Sequence, residues 1–179
     1  MTMSVLRFEK AKKEDLDLVR TFYWKLIDSS DVLGQILQWK KNLYPADADW
    51  LAYIHNEEMY LLYEGECLVG AVALTTSQSN GYKDIDWQID VRDDEVLVTH
   101  LLAIDPLQQG RGFATSALDQ IVTMAKNMGK KVVRLDAIEI NRPAQCLYEK
   151  YGFKKCGWTR EYYESVGLAG FYFYEFVLV

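Results

Sequence analysis

The segment Gln109-Gly110-Arg111-Gly112-Phe113-Ala114 carries the most specific chemistry in the chain. It separates an apolar run, Glu95 to Ile104, from an amphipathic run, Phe113 to Met128. A small-residue turn between a buried strand and a helix lets backbone N–H groups point outward together. They converge at the positive end of a helix dipole, where a phosphate binds well. The turn therefore implies a phosphate-bearing ligand. It lacks the Gly-Lys-Ser/Thr of a P-loop, and Phe113-Ala114-Thr115 after the second glycine breaks the Gly-x-Gly-x-x-Gly pattern. It also comes late in the chain, whereas a dinucleotide domain carries its turn in the first strand–helix unit.

A second constellation narrows the ligand. Gln109-x-x-Gly112-x-Ala114 is followed by a helical pattern, a strand pattern, and then Asn141-x-x-Ala144-x-x-Leu147-Tyr148-Glu149-Lys150-x-Gly152-Phe153. Over Glu95 to Trp158 this combination resembles the GCN5-related N-acetyltransferase (GNAT) superfamily. That family's pyrophosphate loop reads Gln/Arg-x-x-Gly-x-Gly/Ala, and its next helix carries an Asn and a Tyr that match Asn141 and Tyr148. The resemblance implies acetyl-CoA as cosubstrate, no metal, and direct attack by a primary amine in a ternary complex. It implies that backbone groups of Leu102, Ala103 and Ile104 pair with the pantetheine arm. The amides of Gln109, Gly110, Arg111, Gly112, Phe113, Ala114 and Thr115 would wrap the pyrophosphate, and Asn141 would either contact the pantetheine or only cap its helix.

The reaction sets its own demands. A protonated amine cannot attack a thioester, so a base or a water path must take a proton. The carbonyl oxygen turns negative in the transition state and needs an N–H donor, for which the Leu102 amide is the first choice. The departing thiolate benefits from an acid, and the Tyr148 phenol suits that role. Two residues compete as base: Glu95, at the start of the apolar run, and His100, whose ordinary pKa lies near neutrality. Asp136 either orients a substrate or pairs with Arg134 or Lys131. Cys146 reads as a small helix residue rather than a nucleophile.

The elements that must position these residues follow from periodicity. Leu6 to Glu9 reads as a strand. Lys13-Glu14-Asp15 opens a helix through Leu16, Val19, Phe22, Tyr23 and Leu26. Asp31 is a candidate cap for a second helix through Val32, Ile36 and Trp39, and Asp47 for a third through Trp50, Leu51 and Ile54. Met59–Tyr63 and Leu68–Thr76 flank a hairpin turn at Glu64-Gly65-Glu66. Glu95 to Ile104 is apolar at nearly every position, as in a strand covered on both faces. The helix from Phe113 stops at Gly129, and Lys131 to Ala137 is the next strand. Ala144, Leu147, Tyr148 and Tyr151 form a helical stripe ended by Gly152. Phe153–Trp158 and Phe171–Val179 close the chain as strands. The expected fold is mixed α/β, one GNAT-like domain over residues 1–179. Its central sheet is mixed but mostly antiparallel, splayed between its fourth and fifth strands and flanked by helices.

Composition bounds the partners. Half of the 179 residues are apolar and the formal net charge is −6, without a dense Lys/Arg block, so nucleic acid is not an expected partner. Three widely spaced cysteines, Cys67, Cys146 and Cys156, suit neither a disulfide framework nor a zinc site. No apolar run nears the ~20 residues of a membrane span, and a cytoplasmic protein is the expectation. The acceptor is a small-molecule amine or a peptide or protein amine. Trp39, Tyr44, Trp50, Tyr82 and Trp87 either line its pocket or pack the core. Asp84, Asp86, Asp90, Asp93 and Asp94 either attract a cation or form a solvated loop. A homodimer through Phe171 to Phe176 is a further reading. The alternatives to an enzyme are a non-catalytic acyl-CoA-binding regulatory module on the same fold and a different nucleotide-binding protein.

Overall fold

The structure, a computed structural model, describes residues 6–29, 36–164 and 166–178. Four α-helices and seven strands are present among them: β1 (Arg7–Lys10), α1 (Leu16–Asp28), α2 (Asp47–His55), β2 (Met59–Glu64), β3 (Cys67–Thr75), β4 (Val96–Ile104), α3 (Phe113–Asn127), β5 (Val132–Ile138), α4 (Arg142–Tyr151), β6 (Lys154–Tyr163) and β7 (Gly167–Val177). The strands form one sheet in the order β1-β2-β3-β4-β5-β7-β6. Neighbours β4 and β5 run parallel, while β1–β2, β2–β3, β5–β7 and β6–β7 are antiparallel. A parallel pair needs a crossover connection, and α3 supplies it. The parallel register joins Val96–Thr99 to Val132–Leu135. Strand β5 continues through Asp136, Ala137 and Ile138, paired with β7. The mixed α/β architecture expected from the sequence is thus present.

Several boundaries differ from expectation for local reasons. Lys13–Asp15 forms a 3-10 turn ahead of α1. The stripe Val19, Phe22, Tyr23 and Leu26 is buried as its spacing requires. Asp31 and Val32 lie outside the described residues, and Trp39 lies beyond a short helical stretch at 36–37. Helix α2 is capped by Ala46 rather than Asp47, with the Asp49 carboxylate accepting from the Ala46 amide at 2.8 Å. Strand β4 begins at Val96, because Asp93–Glu95 closes a 3-10 turn. Strands β6 and β7 are longer than the apolar runs that announced them. On β6, Glu161 and Tyr163 face inward while Tyr162 stays 76% exposed, so polar residues obscure the alternation.

The chain divides into two compact units. One comprises Met1–Ala73, Leu101–Ala117 and Glu164–Val166; the other comprises Leu74–His100, Leu118–Tyr163 and Gly167–Val179. The first is built around Tyr23, which stacks on Trp50 at 5.6 Å and meets Trp39 edge-on at 5.5 Å. Trp39, Tyr44 and Trp50 therefore belong to that unit's core. The second is built around Tyr82, Ile85, Val96, Val98, Val132 and Phe173. Strand β7 lies between β5 and β6, so both of its hydrogen-bonding edges are occupied. A second copy therefore has no free edge of this strand to pair with along Phe171 to Phe176. No described helix is long and apolar enough to cross a membrane.

Candidate functional site

In the first unit, the end of β4 and the turn after it are set by local chemistry. Leu101 has φ +55° within the strand, a left-handed conformation that costs a leucine energy. Its carbonyl accepts a buried hydrogen bond from Tyr23 Oη at 2.8 Å, which holds the irregularity in place. Leu102 is half-buried, and Ala103 and Ile104 are buried. A Cβ at Gly70 of β3 would lie 2.8 Å from the Ala103 carbonyl oxygen, so glycine is required there. Asp105 ends the strand. Its carboxylate accepts from the Leu107 amide at 2.9 Å and pairs with Lys25 at 2.6 Å.

The expected phosphate turn follows. Gln109 Nε2 donates to the Ile104 carbonyl at 3.3 Å, tying the turn back to the strand. Gly110 and Gly112 have φ +77° and +83°, the left-handed region that favours glycine. The Ser116 amide donates to the Gly112 carbonyl at 3.0 Å. The amides of Phe113, Ala114 and Thr115 therefore stand ahead of this helical bond, at the positive end of α3. Arg111 is engaged elsewhere. Its guanidinium pairs with Glu64 at 3.0 Å, contacts Gln108, and lies 4.7 Å from the Phe113 ring centroid.

In the second unit, strand alternation gathers His100 of β4, Arg134 and Asp136 of β5, Phe173 and Glu175 of β7, and Glu161 of β6 on one face, with the segment from Gln78 to Val91 laid over it. Asp136 is not paired with Arg134 or Lys131. It accepts from Tyr82 Oη at 2.6 Å and lies near His100. Burial pushes the Asp136 carboxyl above its ordinary pKa, against the pull of His100 and of the Tyr82 hydrogen bond. Burial likewise pushes the His100 imidazole down, and the Asp136 charge draws it back up. The Tyr82 and His100 rings meet edge-on at 6.4 Å.

Helix α4 delivers the remaining candidates. Asn141 caps it by accepting from the Ala144 amide at 3.2 Å, and Gly152 ends it at φ +116°. Tyr148 is buried, with Phe153 and Tyr174 ring centroids 6.0 and 5.7 Å away. Burial, and then the nearby Asp136, raise its phenol pKa well above the usual value, so it keeps its proton. His100 and Tyr148 thus share the field of Asp136. Glu95 is apart from them. Five residues from His100 along the chain, it stands roughly 16 Å away at strand spacing. Its carboxylate binds Lys131 at 2.7 Å and the Arg92 amide at 3.0 Å, and the Lys131 bond foremost holds its pKa low.

Two side chains that shape this unit, Gln145 and Glu175, carried no sequence signal. Gln145 is buried and donates to the Ile138 and Glu139 carbonyls at 3.3 and 2.9 Å, fastening α4 to the end of β5. Arg134 and Glu175 form a buried pair. Tyr82, which the sequence offers either as a pocket wall or as core, is buried in this unit's core. Trp87 is half-buried over Arg134, at 4.0 Å. A cavity of about 430 Å³ opens beside it, lined by Gln78, Asp86, Asp90, Asp93 and Arg134 among others. Asp84, Asp86, Asp90, Asp93 and Asp94 are all exposed.

Known proteins share this fold. A family model described as the acetyltransferase (GNAT) family matches residues 21–153. An uncharacterized N-acetyltransferase of Methanocaldococcus jannaschii is 30% identical over 81 residues, 43% of this chain and 36% of its own length. The chain spans well under half the length of the curated relatives it matches. Among solved structures, a GNAT-family acetyltransferase from Streptococcus agalactiae superposes with a TM-score of 0.75 at 19% identity, over 96% of this chain and 95% of that one. The yncA protein of Salmonella typhimurium, solved with its cofactor acetyl-CoA, gives 0.68 at 16% identity, over 97% and 94%. At these identities the superpositions show the fold.

Proposed function

Because the chain belongs to the GNAT acetyltransferase family, we propose that it transfers an acetyl group from acetyl-CoA to a primary amine by direct attack in a ternary complex. The observation that carries this reading is the pair of left-handed glycines, Gly110 and Gly112, set immediately before the open amide end of α3. Those amides suit a pyrophosphate. The acetyl-CoA of the Salmonella relative supports the choice of donor.

In the reaction, the amine nitrogen attacks the thioester carbon, the C–N bond forms, and the carbonyl oxygen takes the negative charge. The amide of Leu102, next to the left-handed Leu101, is our candidate donor to that oxygen. On collapse the C–S bond breaks. The nitrogen loses its proton to His100, and the CoA sulfur takes one from Tyr148. His100 is preferred to Glu95 as base. Burial keeps its imidazole neutral and able to accept a proton, whereas Glu95 is held as an anion by Lys131. Asn141, whose Oδ1 is spent on capping, has its Nδ2 to offer the pantetheine. The acceptor is a small-molecule amine or a peptide or protein amine.

Release of CoA thiol from acetyl-CoA over a panel of primary amines tests the reading. With an accepted amine, Tyr148→Phe and His100→Gln are expected to lose about 10²-fold or more in kcat, and Glu95→Gln much less. Unchanged turnover in Tyr148→Phe sinks the acid assignment. Binding of acetyl-CoA without transfer to any amine favours a non-catalytic acyl-CoA-binding module.

A further inference from the structure

Tyr82 is held more firmly than wall packing requires. Its 3-10 turn, Asn80–Tyr82, lies against β6, where a Cβ at Gly81 would collide with the Glu161 carboxylate. The Trp87 indole N–H donates to the Tyr82 carbonyl at 2.9 Å, and its ring stacks on the Tyr82 ring at 5.7 Å. Phe173 meets the ring edge-on at 5.0 Å. These contacts fix the ring, and a phenylalanine would serve them equally. The hydroxyl does something a phenylalanine cannot: it donates to Asp136 Oδ2 at 2.6 Å, 54 residues away in sequence.

We propose that Tyr82 is a positioning residue of the transfer site. Its hydroxyl holds Asp136 as an anion facing His100, and so sets how readily the imidazole accepts the amine proton. The proposal rests on the reading of His100 as base. It makes the acceptor-side segment and the proton acceptor one structural unit: a shift of the turn on acceptor binding would alter the carboxylate that faces the base.

The sign follows from the groups present. Asp136 from β5 faces His100, and Tyr82 reaches both from the covering turn. Glu161 and Tyr163 of β6 and Tyr148 of α4 interact with Asp136. A hydrogen bond to a carboxylate favours its charged form. Removing the hydroxyl therefore favours the neutral acid, and His100 loses part of the anion that raises its pKa.

The chain has two histidines, His55 and His100, so a His55→Gln background leaves one imidazole for titration by NMR. Tyr82→Phe is expected to lower the His100 midpoint by roughly half a pH unit. Asp136→Asn should lower it further, and the double variant no further than Asp136→Asn alone. An unmoved midpoint in folded Tyr82→Phe overturns the proposal directly. Should that variant not fold, site-specific 3-fluorotyrosine at position 82, a stronger donor, is expected to raise the midpoint, and no rise overturns it. A moved midpoint with an unmoved acid limb of CoA thiol release, measured with an accepted amine, overturns it through the base assignment instead.

Discussion

Arg134 Nε and Glu175 Oε2 lie 2.8 Å apart with side chains 4% and 0% exposed, directly opposite each other in the β5–β7 register. The pair uses its remaining capacity on the segment laid over it. Arg134 donates to Gln78 Oε1 at 2.8 Å and to the Ile89 carbonyl at 3.4 Å, and Trp87 sits on the guanidinium face. Glu175 accepts from the Gln88 amide at 2.9 Å. The pair thus clamps the segment that carries Tyr82. Removing one partner leaves the other buried and uncompensated, which costs about 3–5 kcal/mol, whereas replacing both with apolar residues is often close to neutral. Glu175→Ala should therefore lose about 3–5 kcal/mol in urea unfolding, and Arg134→Met/Glu175→Leu far less. A double variant as unstable as the single one would show that the clamp contributes through its charges.

That clamp marks the limit of what was legible in the sequence. The glycine turn, the cap at Asn141, the stop at Gly152 and the buried stripe of α1 are decided within a few residues, so spacing alone reveals them. Asp136 was not legible in this way. Its neighbours in sequence, Lys131 and Arg134, looked like its partners, but register gives Arg134 to Glu175, 41 residues away. The Tyr82 turn then supplies the donor that Asp136 accepts. Partner choice across a sheet depends on which strands adjoin, and β7 lies between β5 and β6 against sequence order. Glu95 differs: its place at the head of an apolar run is legible in the sequence, and its engagement by Lys131 and the Arg92 amide is not.

Gly112 gives a prediction that separates backbone from ligand. A Cβ built there meets nothing within 4 Å, so crowding within the protein does not require glycine. The left-handed φ of +83° does. Gly112→Ala should cost about 1–2 kcal/mol of stability from that conformation alone. If the turn wraps a pyrophosphate, acetyl-CoA affinity measured by calorimetry should also fall, because the added methyl crowds the backbone approach to the phosphates. A stability loss with unchanged affinity would place the ligand elsewhere.

Asp136 gives a prediction in which stability and activity move in opposite directions. Burial raises its folded pKa above the ordinary carboxylate value of about 3.9. A group with a raised folded pKa binds its proton more tightly in the native state. Its contribution is therefore fully present below the unfolded pKa and is lost as pH rises through the folded one. Above its folded pKa the native state carries a buried anion that the unfolded chain would hold in water. Asp136→Asn removes that charge and keeps an oxygen to accept from Tyr82. The variant should melt above the parent protein at pH 7, and the difference should shrink on acidification and vanish near pH 4 and below. Its acetyl transfer should fall, because His100 loses the anion that favours its protonated form. Thermal melts across pH 3–8 check the first half and CoA thiol release the second. A variant less stable than the parent at pH 7 would mean that Asp136 is a structural anion rather than one kept for the reaction.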